Sequence, residues 1–162
     1  MNVFEFAMQM EKDGESFYRE IAAQAGDEGI ASIMNFLAGE EVKHYNIFKR
    51  MSGGQSGDLE KSHLLTDVKN IFQTMRDAGG EKSFDTEKQI PLYRKAQELE
   101  KKSENFYLDK AKESTIEAER DLLMQIAEEE KRHYMVLETI IDFVQRPTRW
   151  LEDAEWNNME EY

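Results

Sequence analysis

GEEVKHY at residues 39–45 and EEEKRHY at residues 128–134 are two copies of one pattern. In each copy a Glu is followed three residues later by His, and the next residue is Tyr. The copies are 89 residues apart and pair Glu41 with Glu130, His44 with His133 and Tyr45 with Tyr134. A chain that repeats chemically distinctive residues at one spacing is expected to repeat the structure that carries them.

The same offset joins two other segments of the chain. AMQMEKDGESFY at residues 7–18 aligns with AQELEKKSENFY at residues 96–107. The alignment pairs Ala7 with Ala96, Glu11 with Glu100, Glu15 with Glu104, Phe17 with Phe106 and Tyr18 with Tyr107. The chain is therefore predicted to be a duplicated helical hairpin, and the two copies support each other.

Apolar residues recur at steps of three and four, which indicates amphipathic helices. We expect an all-α four-helix bundle with a long crossover between its second and third helices. The predicted elements are helix A at about 2–25, helix B through 30–51, a crossover helix from Leu64 to about 77, helix C from Asp85–Thr86 or after Pro91, and helix D from about 115 to Pro147.

The domain prediction is a bundle over residues 1–146 and a C-terminal tail over residues 147–162. The tail carries both Trp residues of the chain. Trp side chains favour a partly apolar environment, so we expect the tail to pack on the bundle or to lie at an oligomer interface. If its Trp residues were exposed, the tail would be a plausible dimer surface.

Composition limits the function classes. A length of 162 residues fits one domain. A net charge of −13 disfavours binding to nucleic acid or to an anionic membrane. The absence of Cys excludes a protein-held all-Cys iron–sulfur centre. Because the sequence has neither a basic leader at its start nor an apolar run of about 20 residues, we expect a cytoplasmic protein that does not contact membranes.

Each repeat supplies one Glu on its first helix and a Glu-x-x-His on its second. Residues three apart lie on one helix face, so four carboxylates and two imidazoles are expected inside the bundle. Burying these charges without compensation costs several kcal/mol per ion. Two divalent cations would compensate them, and carboxylate with imidazole suits iron or manganese. The candidate ligands are Glu11, Glu41, His44, Glu100, Glu130 and His133.

These motifs resemble the rubrerythrin branch of the ferritin-like superfamily over nearly the whole chain. The resemblance implies a ferritin-like bundle with two iron ions, manganese being possible. It implies that Glu11, Glu41 and His44 bind one ion, that Glu100, Glu130 and His133 bind the other, and that Glu41 and Glu130 bridge them. Rubrerythrins also tend to carry a further carboxylate one turn from the ligand on the third helix, where this chain has Gln97 and Ser103, which leaves only Glu104 as a candidate for it.

The resemblance further implies a hydrogen peroxide reductase, with dioxygen as the other possible oxidant. Rubrerythrins usually add a Cys-rich electron-transfer domain, so here electrons would come from an external rubredoxin-type donor. A homodimer is expected. Two other functions stay open: an iron-storage protein with ferroxidase activity, which needs a hollow cage, and a non-catalytic module whose metal only stabilises the fold.

Several other residues have two interpretations. Glu15 and Glu104 are alternative ligands to Glu11 and Glu100, or surface carboxylates. Tyr18 and Tyr107 are either core aromatics or hydrogen-bond partners that orient ligand carboxylates. We expect Tyr45 and Tyr134 to serve packing, His63 to lie at the surface, and the cluster Glu128–Glu130 to be solvated apart from Glu130.

Overall fold

The computed structural model describes residues 2–159, so the last three residues of the predicted tail lie outside the described part. Within that part there are six α-helices, one 3-10 helix and no β-strand. They are α1 (Val3–Gln24), α2 (Glu28–Ser52), α3 (Leu64–Ala78), α4 (Thr86–Glu113), α5 (Glu117–Gln145), α6 (Pro147–Glu152) and the 3-10 helix Glu155–Asn158.

Four long helices form the bundle. Helix α1 packs along α2, and α4 packs along α5, so each repeat is one hairpin. The hairpins face each other through contacts of α1 with α4 and of His44 on α2 with Glu129 on α5. The all-α four-helix bundle predicted from the repeat is confirmed.

Side-chain caps explain where three of these helices begin. Asn2 accepts a hydrogen bond from the Glu5 N–H at 2.9 Å, and Asp27 accepts one from the Ile30 N–H at 3.0 Å. Asp85 accepts one from the Lys88 N–H at 3.2 Å, which decides between the two predicted starts of the third bundle helix. Pro91 then lies inside α4, where it removes one backbone donor from the second turn.

The crossover places α3 against α2. His63 precedes this helix and is exposed, as predicted. One face of α3 is buried, through Leu64, Leu65, Val68, Phe72 and Met75. The connection between the repeats is therefore part of the core.

The segment after α5 turns back onto the same core. Pro147 begins α6, because proline is well tolerated in the first turn of a helix. The Trp150 ring centroid lies 4.4 Å from that of Phe72 and 5.4 Å from that of Phe143. Trp150 and Trp156 are only 2% and 5% exposed. Both Trp side chains are buried within the chain, so they do not form the exposed surface considered for a dimer.

The buried apolar side chains form two clusters. The larger one contains residues such as Ile21, Leu37 and Ile140 together with α3 and α6, and the smaller one contains residues such as Ala7 and Phe48. Along each bundle helix the predicted ligands lie between positions of the two clusters. Among residues 2–159 no helix has the length and apolar character needed to span a membrane.

Candidate metal centre

The six predicted ligands meet in the layer between the two apolar clusters. Each of the four bundle helices contributes at least one of them, and none is more than 3% exposed. They are Glu11, Glu41, His44, Glu100, Glu130 and His133. The six side chains therefore converge as their spacing in the sequence predicts. Their assignment as metal ligands stays a prediction.

The ligand atoms form two groups, each with its atoms within 4.8 Å of one another. One group is Glu11, Glu41, His44 and Glu130, and the other is Glu41, Glu100, Glu130 and His133. Glu41 and Glu130 belong to both groups. This is the arrangement that two cations bridged by two carboxylates require.

Each imidazole faces carboxylates of both hairpins. His44 Nδ1 lies 3.5 Å from Glu11 Oε2 and 2.8 Å from Glu130 Oε1. His133 Nδ1 lies 3.3 Å from Glu100 Oε1 and 3.4 Å from Glu41 Oε1. The two rings are nearly parallel, with centroids 5.9 Å apart. Both histidines thus present Nδ1 to the same polar layer.

Unsatisfied polar atoms test whether the layer fits metal ions. Five atoms of the cluster are buried and make no hydrogen bond with any described residue, namely Glu11 Oε2, Glu41 Oε1, His44 Nδ1, Glu100 Oε2 and Glu130 Oε1. Native proteins rarely leave such atoms unpaired, because each costs about 1–3 kcal/mol. All five belong to the two ligand groups. Divalent cations bound between these atoms would use their lone pairs, so the residues present fit two metal ions.

Crowded negative charge shifts the acidity of the shared carboxylates. Burial, with the charges of Glu11 and Glu130, raises the pKa of Glu41 well above its ordinary value. Burial, with the charges of Glu100 and Glu11, does the same to the pKa of Glu130. The layer therefore disfavours four simultaneous negative charges unless positive charge is supplied.

The imidazoles and the two outer carboxylates show the complementary effect. Burial lowers the pKa of His44, but the charges of Glu11 and Glu41 and hydrogen bonds with Glu11 and Glu129 together raise it well above its ordinary value. Burial raises the pKa of Glu100, but the charge of His133 and hydrogen bonds from its neighbours bring it down to about 2. The layer therefore stabilises positive charge. Protons provide this charge when no metal is bound, and metal ions would replace them.

Two tyrosines hold the outer carboxylates. Tyr18 OH donates to Glu100 Oε1 at 2.5 Å, and Tyr107 OH donates to Glu11 Oε1 at 2.6 Å. Burial and the neighbouring carboxylates raise the pKa of both tyrosines well above the ordinary value, so both stay protonated donors. The structure shows the hydrogen bonds to both carboxylates, and the role of the tyrosines in orienting metal ligands stays a prediction. Each tyrosine serves the carboxylate of the other hairpin.

The alternative ligands Glu15 and Glu104 lie outside both groups. Glu15 is partly exposed and pairs with Arg19 at 3.4 Å. Glu104 is 9% exposed and accepts a hydrogen bond from Lys101 Nζ at 3.2 Å. Both carboxylates turn to surface cations.

The prediction that Glu129 is solvated was wrong. Glu129 is 5% exposed, and its Oε1 lies 2.7 Å from His44 Nε2. Because a carboxylate is the acceptor, His44 Nε2 carries the proton, which leaves the Nδ1 lone pair for a metal. Glu40, its counterpart in the first repeat, is also buried. A Glu four residues before each His, repeated at the same offset, was the signal that could have revealed both.

A small cavity opens beside the cluster. It has a volume of about 80 Å³, and its lining includes Gly14, Tyr18, Glu41, Glu100 and Glu130. A Cβ atom on Gly14 would lie 3.1 Å from Glu41 Oε2, so the absence of a side chain there gives the shared carboxylate its room.

Comparison with known proteins agrees with the geometry. No curated protein and no solved structure matches the chain significantly. The family model described as Rubrerythrin matches residues 2–141, which include the first hairpin, most of the second and all six candidate ligands. The chain belongs to the rubrerythrin family.

Proposed function

We propose that the protein is a non-haem di-iron oxidoreductase that reduces hydrogen peroxide to water. The observation that carries the proposal is the pair of ligand groups that share Glu41 and Glu130. Two bound ferrous ions would supply the two electrons that hydrogen peroxide takes up with two protons to form two water molecules. An external donor then returns two electrons.

The protein side chains would hold and orient the reacting centre. The shared carboxylates keep the two cation positions adjacent, and His44 and His133 present one ring nitrogen to each group. Tyr18 and Tyr107 fix one oxygen of each outer carboxylate, so that the other oxygen is left without a protein partner in the described part. Because these groups are fixed by the fold before substrate arrives, little reorganisation is required at the reaction.

The size of the cavity favours a small oxidant. Pockets for larger organic ligands are usually about 300–1,000 Å³. The cavity beside Glu41 and Glu100 is about 80 Å³, which is room for hydrogen peroxide or dioxygen and too little for an organic substrate of ordinary size. The space on this side of the cluster therefore fits a small oxidant.

We infer that the electron donor is a separate rubredoxin-type protein, because the sequence has no Cys to hold an iron–sulfur centre of its own. A cytoplasmic location and a homodimeric state belong to the same proposal. Light scattering tests the second: a dimer agrees with it, and a large hollow assembly favours iron storage.

Anaerobic stopped-flow measurement tests the reaction. The ferrous protein is mixed with hydrogen peroxide or with dioxygen, and iron oxidation is followed by absorbance. Two irons per chain that oxidise much faster with peroxide would support the proposal. Faster oxidation by dioxygen would favour a ferroxidase, and failure to bind iron would contradict a di-iron centre.

A further inference from the structure

The second ring nitrogens of the two histidines are held differently. By the repeat, Glu129 and Glu40 are equivalent residues, as are His133 and His44. Glu129 reaches across the bundle to His44 Nε2 at 2.7 Å. The symmetric partner of that hydrogen bond would join Glu40 to His133 Nε2, and the structure has no such bond among residues 2–159.

Glu40 is instead held by other groups. Ser62 Oγ donates a hydrogen bond to Glu40 Oε1, and Lys43 Nζ lies 3.3 Å from Glu40 Oε2. Both carboxylate oxygens therefore have partners other than His133, and Glu40 acts on His133 through its charge without a hydrogen bond. The side chain is 4% exposed, so it has little freedom to find another partner.

Ser62 belongs to the crossover, which occurs only once in the chain. Its Oγ also accepts a hydrogen bond from the Leu64 N–H at 3.1 Å, which ties it to the start of α3. The same connection also passes near Glu129, but none of its residues hydrogen-bonds Glu129 among residues 2–159. The asymmetry thus originates in the connection between the repeats.

His133 lines a cavity of about 280 Å³ beneath this connection, together with Ser62, Leu65, Glu129 and Arg132. His44 is not among the residues that line this cavity. The two imidazoles therefore differ both in their carboxylate partner and in their packing.

A carboxylate that accepts from the distal nitrogen of a ligating His fixes the ring and makes it a better donor to the metal. Loss of such a partner typically weakens metal binding about 10–100-fold. Here one half of the centre has this partner and the other lacks it.

We propose that the two cation sites are inequivalent, with the His44 site binding first and the His133 site binding about 10–100-fold more weakly. Ser62 is a positioning residue that sets this difference by holding Glu40. The inference rests on the proposed function, since it presupposes that the cluster binds two divalent cations.

Anaerobic calorimetric titration of the metal-free full chain with Fe²⁺ tests the inference. The wild type should bind two ions in two resolved steps. Glu129→Gln should weaken the tighter step about 10–100-fold. Ser62→Ala should free Glu40 for His133 and tighten the weaker step about tenfold or more, and the double variant S62A/E40Q should lose that gain.

Ser56→Ala is the matched control, because Ser56 is an exposed serine of the same connection. It should leave both steps unchanged, and circular dichroism should show the same helix content in every variant. Two equal steps in the wild type would overturn the inequivalence alone, and two unchanged steps in Glu129→Gln would overturn its assignment to Glu129. No tightening in folded S62A would overturn the role of Ser62. Failure of the wild type to bind Fe²⁺ would overturn the proposed function as well.

Discussion

The hairpins α1–α2 and α4–α5 are alike in what they place inside the bundle and different in what covers them. Inside, Glu11 and Tyr107 mirror Glu100 and Tyr18. Outside, the crossover packs on α2, and its Ser62 holds Glu40. Duplication explains the common ligand positions, and the segments present only once explain the asymmetry. A symmetric set of side chains can therefore give two inequivalent halves.

A second difference lies at one pair of repeated positions. Gly14 on α1 corresponds to Ser103 on α4, and both line the small cavity. Gly14 leaves space for Glu41, the shared carboxylate of the same hairpin. The cavity thus opens on the side where the first hairpin lacks a side chain.

Loss of a shared carboxylate should have the largest effect on the metal centre. Glu41 and Glu130 each belong to both ligand groups, so either loss affects both halves of the centre. We expect Glu41→Ala and Glu130→Ala each to abolish stoichiometric iron binding, measured by metal analysis after anaerobic loading. The controls Glu15→Ala and Glu104→Ala lie outside both groups and should retain two irons per chain. Full iron content in both shared-carboxylate variants would reject the assignment.

The segments present once should contribute strongly to stability. Trp150 packs on Phe72 of the crossover helix and Phe143 of α5, so Trp150→Ala should lower the free energy of unfolding by about 3–5 kcal/mol. Urea denaturation measures it. Ile116 is 59% exposed in the α4–α5 connection, and Ile116→Ala should change stability by less than about 0.5 kcal/mol. Similar values for the two variants would mean that the tail adds nothing to the core.

Tyr18 and Tyr107 test whether the interiors of the two hairpins are equivalent. Tyr18→Phe and Tyr107→Phe each remove a donor from a buried carboxylate, and each should cost about 1–3 kcal/mol in the metal-free protein. Urea denaturation should give similar losses for the two. Tyr45→Phe is the control, because no described residue hydrogen-bonds its hydroxyl group. A loss confined to one tyrosine would show that the hairpins differ inside as well as outside.

The smallest effect is expected from the ion pair of the C-terminal segment. Hydrogen bonds from Arg146 to Glu155 hold the pKa of Glu155 below its ordinary value in the folded state. A lowered folded-state pKa stabilises above the unfolded pKa of about 4.3, and this stabilisation disappears as the pH falls through the folded value.

Thermal unfolding should therefore show a slightly lower melting temperature for Glu155→Gln than for wild type at pH 7, and no difference near pH 2. Glu152→Gln serves as control, because Glu152 is exposed and makes no ion pair within the described chain. A difference between Glu155→Gln and wild type that persists unchanged at pH 2 would contradict this linkage.

The sequence predicted the bundle and the meeting of six side chains because both follow from periodicity. Steps of three and four place Glu41 with His44 on one face, and the 89-residue offset repeats that face. Periodicity also left two starts open for α4, and the Asp85 cap decided between them.

The contacts that could not be predicted from the sequence depend on how the two hairpins pack against each other. The alignment makes Tyr18 equivalent to Tyr107, but it does not show that each serves the carboxylate of the opposite hairpin. The burial of Glu129 follows from the same packing. The contact of Ser62 with Glu40 lies in a loop that has neither a helical period nor a second copy.

The central claim is that the chain binds two metal ions between its repeats. Anomalous diffraction at the iron edge from crystals of the iron-loaded protein tests it most directly. We expect two peaks per chain, one beside His44 and Glu11 and the other beside His133 and Glu100, both next to Glu41 and Glu130. A single peak, or peaks away from this layer, would contradict it.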